Sequence, residues 1–146
     1  MAVVDPVFEK LLNKSTQFVV FRVQKLKLVE VTQNDWGKFY AGDCYLVFDA
    51  RFGGSHIFYW IGSSSSLDEQ SVAAIKAVEL DNLFQGMPVQ HREVQGNESL
   101  RFKKLFVGGI VILQGGFDTG LHKVKQEQHV ARLFQVKGVA KFRYTS

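Results

Sequence analysis

One stretch of the chain, residues 66–84, has apolar residues at the spacing of an amphipathic helix. The face expected to line the core has apolar residues at positions i, i+4, i+7 and i+11, namely Ala73, Ala77, Leu80 and Phe84. Ser66 and Glu69 have the spacing of a capping box, in which each side chain accepts a hydrogen bond from the other residue's backbone N–H. Gly86 and Pro88 follow as helix-ending residues. The pattern therefore predicts one long helix.

A second stripe of this helix lies largely outside the core face and consists of Val72, Ile75, Glu79 and Asn82. An isoleucine at the centre of a mostly exposed stripe is compatible with a surface that binds a partner. It is equally compatible with a broad buried face. The periodicity leaves both interpretations open.

Alternating or continuous apolar residues predict strands on both sides of the helix. The predicted strands are residues 17–23, 27–31, 44–50, 55–61, 89–94 and 110–113. The run 44–50 is apolar almost throughout, which is typical of a central strand buried on both faces. Gly53 and Gly54 form a turn after it, so the strands on either side of this turn are expected to pair as a hairpin.

The other segments before residue 117 are short. Residues 1–16 are predicted to form an arm with one amphipathic turn. Its apolar residues Phe8, Leu11 and Leu12 would dock this turn on the rest of the domain. Residues 32–37 have the polar and turn-forming composition of a loop. Residues 98–106 are predicted to form a short basic helix that ends before a glycine pair.

The end of the chain predicts the start of a repeat. Residues 118–129 are polar and basic, as in a linker, and 130–136 resume a strand pattern in which FQVK resembles the FRVQK of residues 21–25. A lone strand cannot bury its apolar face. The expected organisation is a domain over 1–117, a linker over 118–129 and the truncated start of a second, similar domain over 130–146.

The net charge of +4 on 146 residues is unevenly distributed. Residues 101–146 contain nine Lys and Arg against two Asp and Glu, whereas residues 1–100 contain nine against twelve. The basic third is compatible with an acidic partner, such as nucleic acid, anionic lipid or an acidic protein surface. It is also compatible with a solvated basic tail.

Several classes of site are disfavoured by the residues. Cys44 is the single cysteine, which excludes an internal disulfide and a thiolate metal cage and fits a reducing compartment. No window approaches the roughly 20 apolar residues of a membrane span, and the N-terminus lacks the apolar run of a signal peptide. Cys44 and His91 could form a nucleophile and its base, but nothing orients the pair. No enzyme is expected.

Carboxylates are the more informative candidates. Asp43 follows Gly42 just before the central strand, and Glu69 lies in the first turn of the long helix. Oxygen ligands of this kind suit Ca²⁺, although Glu69 could serve only as the cap. Asp81 lies in the last turns of the helix and faces the negative end of its dipole, an unfavourable position unless a cation offsets it.

Several segments resemble the first domain of the gelsolin, villin and severin family. They are GKFYAGDCY (37–45), FYWIG (58–62), DEQ (68–70) and VQHREVQG (89–96), in the order of the family. The segment RLFQVKG (132–138) is similar to the opening strand of that family's second domain. The resemblance covers about residues 17–138.

This resemblance implies an α+β fold, a gelsolin-like domain with a central mixed sheet of five or six strands between one long and one short helix. It also implies calcium-dependent binding of monomeric actin, capping of filament barbed ends and a contribution to severing in the full-length protein. The expected location is cytoplasmic and cytoskeletal. The alternative is a basic module that binds lipid or nucleic acid; under the family interpretation no nucleic acid is expected.

By matching position, the resemblance implies two Ca²⁺ sites and an actin contact. The internal site would use Gly42, Asp43, Glu69 and Phe117, and the site shared with actin would use Asp81, Gly86 and Pro88. The actin contact would use Val72, Ile75, Glu79, Asn82, Leu121, Lys123 and Val124. Two departures stand out. Asn82 replaces an acidic residue common in the family, and the segment 107–113 is apolar where a lysine-rich stretch binds phosphoinositides. Acidic phospholipid is therefore only a possible partner.

Overall fold

The computed structural model describes residues 4–13 and 15–117. The chain divides into two compact units, Met1–Gly116 and Phe117–Ser146, and all the described residues except Phe117 belong to the first. The predicted linker and the predicted strand of a second domain lie outside the described residues and stay predictions.

Seven strands form within these residues: β1 (Phe18–Gln24), β2 (Lys27–Glu30), β3 (Lys38–Tyr40), β4 (Cys44–Asp49), β5 (His56–Ile61), β6 (Val89–Val94) and β7 (Val111–Leu113). They are accompanied by three helices: α1 (Glu9–Leu12), α2 (Leu67–Leu83) and α3 (Leu100–Lys103). Single 3₁₀ turns cover Pro6–Phe8 and Gln33–Asp35.

The central sheet has five strands in the order β2-β1-β4-β5-β6. β1 pairs antiparallel with β2 and β4, and β4 pairs antiparallel with β5 in the predicted hairpin. β6 pairs parallel with β5, a connection that requires a crossover, and α2 is that crossover. The predicted α+β class and mixed sheet are confirmed.

Two apolar layers cover the two faces of the sheet, because successive residues of a strand point to opposite sides. In β1, Val19 and Phe21 enter one layer, whereas Phe18 and Val20 enter the other. The first layer packs against α2 and the second against Phe102 of α3. The sheet therefore lies between the long helix and the short one.

Helix α2 has the predicted core face and the predicted start. Ala73, Ala77 and Leu80 are fully buried, and Phe84 is half-buried against the same layer. Both bonds of the capping box form: Glu69 N donates to Ser66 Oγ at 3.1 Å, and Ser66 N donates to Glu69 Oε1 at 3.1 Å.

The structure differs from the predicted elements in two places. Strand β3 has only three residues, too few to show alternation, and it pairs parallel with the distant β7 outside the central sheet. Helix α3 is four residues long instead of spanning 98–106. Residues 104–108 instead form turns and a bend that bring Phe106 into the second layer.

Candidate functional site

The outer face of α2 carries apolar side chains that the core does not cover. Ile75 is 57% exposed, and Val78, three positions further along, is 48% exposed. Asn82 continues this exposed stripe, while Val72 and Glu79 are half-buried at its border. The two interpretations of the stripe are thereby separated: its central isoleucine faces away from the core. Val78 was missed in the sequence, although its i+3 spacing from Ile75 would have placed it there.

An ion-pair cluster holds the border of this face. Lys76 Nζ lies 3.0 Å from Asp5 Oδ2 and 3.2 Å from Glu79 Oε1. Partial burial acts to lower the pKa of Lys76, but the hydrogen bonds to Asp5 and Glu79 outweigh it and the pKa is raised. Lys76 therefore stays charged and joins the N-terminal segment to α2, and Glu79 is held in place beside the exposed stripe.

Asp81 lies in the last turn of α2 with its carboxylate only partly satisfied. Its Oδ2 accepts a hydrogen bond from Gln90 Nε2 at 2.8 Å. Its Oδ1 is buried, and no residue of the described ranges donates a hydrogen bond to it. The backbone carbonyl of Asp81 accepts the N–H of Gly86 at 3.0 Å. Two of the three residues predicted for the shared calcium site thus lie together. The third, Pro88, is buried and follows Gly86 by two residues.

A buried carboxylate oxygen without a donor is costly, because it has lost its water and gained nothing in exchange. A hard cation with oxygen ligands would offset that cost. The residues at this helix end therefore fit Ca²⁺. Gln90 was not anticipated from the sequence, because its contact with Asp81 joins β6 to the end of α2.

The loop around Gly42 and Asp43 is packed tightly against backbone. Asp43 is buried, and its carbonyl accepts the N–H of Gly62 at 3.1 Å. A Cβ added at Gly116 would lie 3.1 Å from Asp43 Oδ1, and one added at Gly42 would lie 3.0 Å from the carbonyl carbon of Gly115. Glycine at both positions avoids these tight contacts.

Glu69 has a free oxygen as well as its capping role. Both capping contacts, from the N–H and the hydroxyl of Ser66, go to Oε1, and within the described residues Oε2 accepts no hydrogen bond. Burial raises the pKa of the Cys44 thiol, and the charges of Glu69 and Asp43 act in the same direction. A shared Ca²⁺ site at Asp43 and Glu69 stays a prediction.

Four of the predicted site residues lie outside the described residues or outside the first unit. Leu121, Lys123 and Val124 lie outside the described residues, and Phe117 belongs to the second unit. Over residues 4–13 and 15–117, no group of three or more His, Cys, Asp or Glu side chains is placed to hold a metal ion. The predicted calcium sites combine one or two carboxylates with backbone carbonyl oxygens, which a count of side chains does not include. Both sites therefore stay predictions.

Cys44 and His91 do not come together. Cys44 is fully buried in the layer beneath α2, and its strand position pairs with Ile61. His91 pairs with Phe58, three residues away along β5, and stacks on that ring at 4.5 Å on the opposite face of the sheet. A nucleophile and base must lie within hydrogen-bonding reach, so this pair cannot act as one.

No helix among the described residues has the length and apolar character that crossing a bilayer demands.

Comparison with known proteins finds one family match and several relatives. The Gelsolin repeat family matches residues 25–103. Gelsolin-like protein 1 of Lumbricus terrestris is 42% identical over 126 residues, which cover 82% of this chain and 34% of that protein. Macrophage-capping protein of Homo sapiens is 45% identical over 129 residues, 86% of this chain and 37% of that protein.

Advillin of Mus musculus is 42% identical over 131 residues, 86% of this chain and 16% of that protein. The chain thus spans between 16 and 37% of the length of these relatives.

Two solved structures share the fold. The Thorarchaeota 2DGel3 protein, solved in complex with rabbit actin, matches with a TM-score of 0.57 and 37% identity over 66% of this chain and 46% of that one. The Thorarchaeota ProGel protein, also solved with rabbit actin, matches with a TM-score of 0.51 and 15% identity over 62% of this chain and 100% of that one. At that identity the second match concerns the fold alone.

Proposed function

Because the chain belongs to the gelsolin family, we propose that it is an actin-binding domain regulated by calcium. It binds one actin monomer or the barbed end of a filament, and it caps the filament by occupying the site that the next subunit needs. In a longer protein it contributes to severing. Its place of action is the cytoskeleton of the cytoplasm.

The observation that carries this proposal is the exposed apolar pair Ile75 and Val78 on a helix whose other face is fully committed to the core. A helix with such a stripe is suited to an apolar cleft, where anchors spaced three or four residues apart dock together. Burying one isoleucine side chain contributes roughly 1.5–3 kcal/mol. The relative with 37% identity was solved bound to rabbit actin, which supports actin as the protein that provides this cleft.

The test is the substitution Ile75→Asp. It removes an apolar anchor and puts an uncompensated charge into the contact, so the dissociation constant for monomeric actin should rise at least about tenfold. Binding is measured by fluorescence titration with labelled actin, and co-elution on a sizing column gives the stoichiometry. The fold should survive, because the side chain is exposed.

Val107→Asp provides the matched control. Val107 is a fully exposed apolar residue that follows α3, away from α2. The same change of chemistry there should leave the affinity for actin unaltered. Equal affinities for wild type and Ile75→Asp, with both variants folded by circular dichroism, would refute docking through the α2 face.

Calcium enters the proposal at two places. Asp81, with the carbonyls of Gly86 and Pro88, holds an ion shared with actin; the buried Oδ1 without a donor supports this assignment. Gly42, Asp43 and Glu69 hold an internal ion; the free Oε2 of Glu69 supports that one. When bound, each ion supplies positive charge that offsets the negative charge of its carboxylate ligands. The chain's own residues orient these ligands: Gln90 holds Asp81, and Ser66 holds Glu69.

A further inference from the structure

A groove of about 400 Å³ lies between the β4–β5 hairpin and α3. It is lined by Asp49, Arg51, Phe52, Leu100, Arg101, Lys104 and Leu105. Helix α3 packs on the apolar layer opposite the one that covers α2. The groove is therefore on the other side of the sheet from the proposed actin-binding face.

The cations of this groove exceed its carboxylates. Asp49 is already engaged by Arg51, whose Nε lies 2.8 Å from Asp49 Oδ1 and whose guanidinium lies 4.0 Å from the centre of the Phe18 ring. Within the described residues, Arg101 and Lys104 form no salt bridge. Two positive charges thus line the groove without a carboxylate to balance them.

Arg101 contacts an imidazole. Arg101 Nη1 lies 3.5 Å from His56 Nε2, and His56 Nδ1 in turn lies 2.9 Å from His91 Nε2. Burial lowers the pKa of His91, and the neighbouring His56 and Arg101 lower it further. An imidazole carries no negative charge, so this contact does not neutralise the guanidinium of Arg101.

Two exposed apolar side chains also line the groove. Phe52, at the tip of the hairpin, is 84% exposed, and Leu100, at the start of α3, is 65% exposed. Large apolar side chains beside cations that no carboxylate of the described residues pairs are typical of surfaces that bind a partner with both carboxylates and apolar groups.

We propose that this groove binds an acidic peptide segment whose carboxylates meet Arg101 and Lys104 while an apolar side chain packs between Phe52 and Leu100. The guanidinium of Arg101 can bind a carboxylate with two parallel hydrogen bonds. The groove uses no residue of α2, so it is separate from the proposed contact of α2 with actin.

The test uses the full chain and a short fluorescein-labelled peptide that repeats Glu-Glu-Leu-Ser, with binding followed by fluorescence anisotropy. Arg101→Gln should weaken binding about tenfold, the effect of losing one charge-assisted contact. Lys103→Gln is the matched control, because Lys103 is an exposed cation on the same helix but does not line the groove. It should change the affinity less than about twofold. Each substitution removes one positive charge, so a difference between the two variants is not an effect of net charge.

Two further arms decide the nature of the ligand. Phe52→Ser should also weaken binding of the peptide, and a peptide repeating Gln-Gln-Leu-Ser should bind much more weakly than the acidic one. Equal losses for Arg101→Gln and Lys103→Gln would overturn the groove as the site. Binding to phosphatidylserine vesicles that depends on Arg101, without binding of the acidic peptide, would overturn the peptide in favour of a membrane.

Discussion

Asp81 illustrates how one side chain can be destabilising in the free domain and useful in a complex. Its carboxylate lies at the negative end of α2, and one of its oxygens is buried without a donor from the described residues. Both features cost stability relative to a carboxylate that is fully hydrogen-bonded and placed away from the helix end. Gln90 satisfies only the other oxygen. A divalent cation at Oδ1 would remove both penalties, which is why this residue is expected to link calcium to actin binding.

We therefore expect Asp81→Asn to weaken the complex with actin in calcium much more than in chelator. The amide keeps the size of the side chain and can still accept the bond from Gln90, but it loses the charge that attracts the ion. The loss in calcium should be about tenfold in the dissociation constant, the order expected for one charged contact. The measurement is a titration of labelled actin in calcium and in EGTA.

Glu69→Gln separates this effect from calcium binding at the internal site. Glutamine keeps the capping box, so the fold and the shared ion should be retained while the proposed internal site loses a charged ligand. An equal loss for Asp81→Asn in calcium and in EGTA would exclude a shared ion. Asp81 and Glu69 were both identified from their positions in the helix pattern, but Gln90 and Val78 were not.

At the scale of elements, the end of α2 is a Schellman motif with an unusual residue in it. Gln85 N donates to the carbonyl of Asn82 at 3.0 Å, and Gly86 N donates to that of Asp81 at 3.0 Å. The left-handed residue of this motif is Gln85, with φ of 59°. The sequence pattern assigned that role to Gly86 instead, because glycine is the usual residue there.

Since a side chain in the left-handed region costs roughly 1–2 kcal/mol, Gln85→Gly should stabilise the domain. The greater freedom of glycine in the unfolded chain offsets part of this gain, and a net increase of about 0.5–1 kcal/mol in the free energy of unfolding remains. Urea denaturation measures it.

Gln85→Ala is the control, since it removes the same side-chain atoms beyond Cβ but keeps the Cβ that causes the strain. It should not stabilise the domain. If Gln85→Ala and Gln85→Gly gave the same free energy of unfolding, loss of side-chain atoms rather than backbone strain would explain the effect.

The elements that could be predicted from the sequence are those whose buried residues recur at a regular spacing along the chain. β1, β4, β5 and α2 each place several residues in the two apolar layers, and all were predicted within a few residues of their bounds. β3 and β7 have three residues each, and their pairing spans about seventy positions, so no local pattern marks it. The close approach of Gly116 to Asp43 likewise depends on two distant segments.

At the scale of the molecule, the sheet separates two surfaces with different chemistry. The α2 side presents exposed apolar side chains and a partly satisfied carboxylate, whereas the α3 side presents unpaired cations and a pair of histidines. The helical pattern located the residues of the first surface but left a partner surface and a buried face both open, and only the family resemblance assigned it to actin. The sequence could not predict the second, because His56, His91 and Arg101 come from three elements.

The histidine pair makes the stability of the whole domain depend on pH. Burial, His56 and Arg101 lower the pKa of His91, while Glu93 acts to raise it. The unfolded chain, with a histidine pKa of about 6.5, therefore binds a proton more readily than the folded domain. Stability from this group is present above that pKa and is lost as pH falls through the lower pKa of the folded state. The melting temperature should thus fall between about pH 7.5 and about pH 5.5.

In His91→Gln this fall should be smaller, because the group that must take up a proton on unfolding has been removed. Thermal denaturation followed by circular dichroism at the two pH values measures the difference. His122→Gln is the control, since His122 lies outside the described residues and takes no part in the pair; it should retain the decrease of the wild type. If His91→Gln lost as much stability as His122→Gln over the same range, the pH dependence would belong to the carboxylates, and the histidine pair would have no share in it.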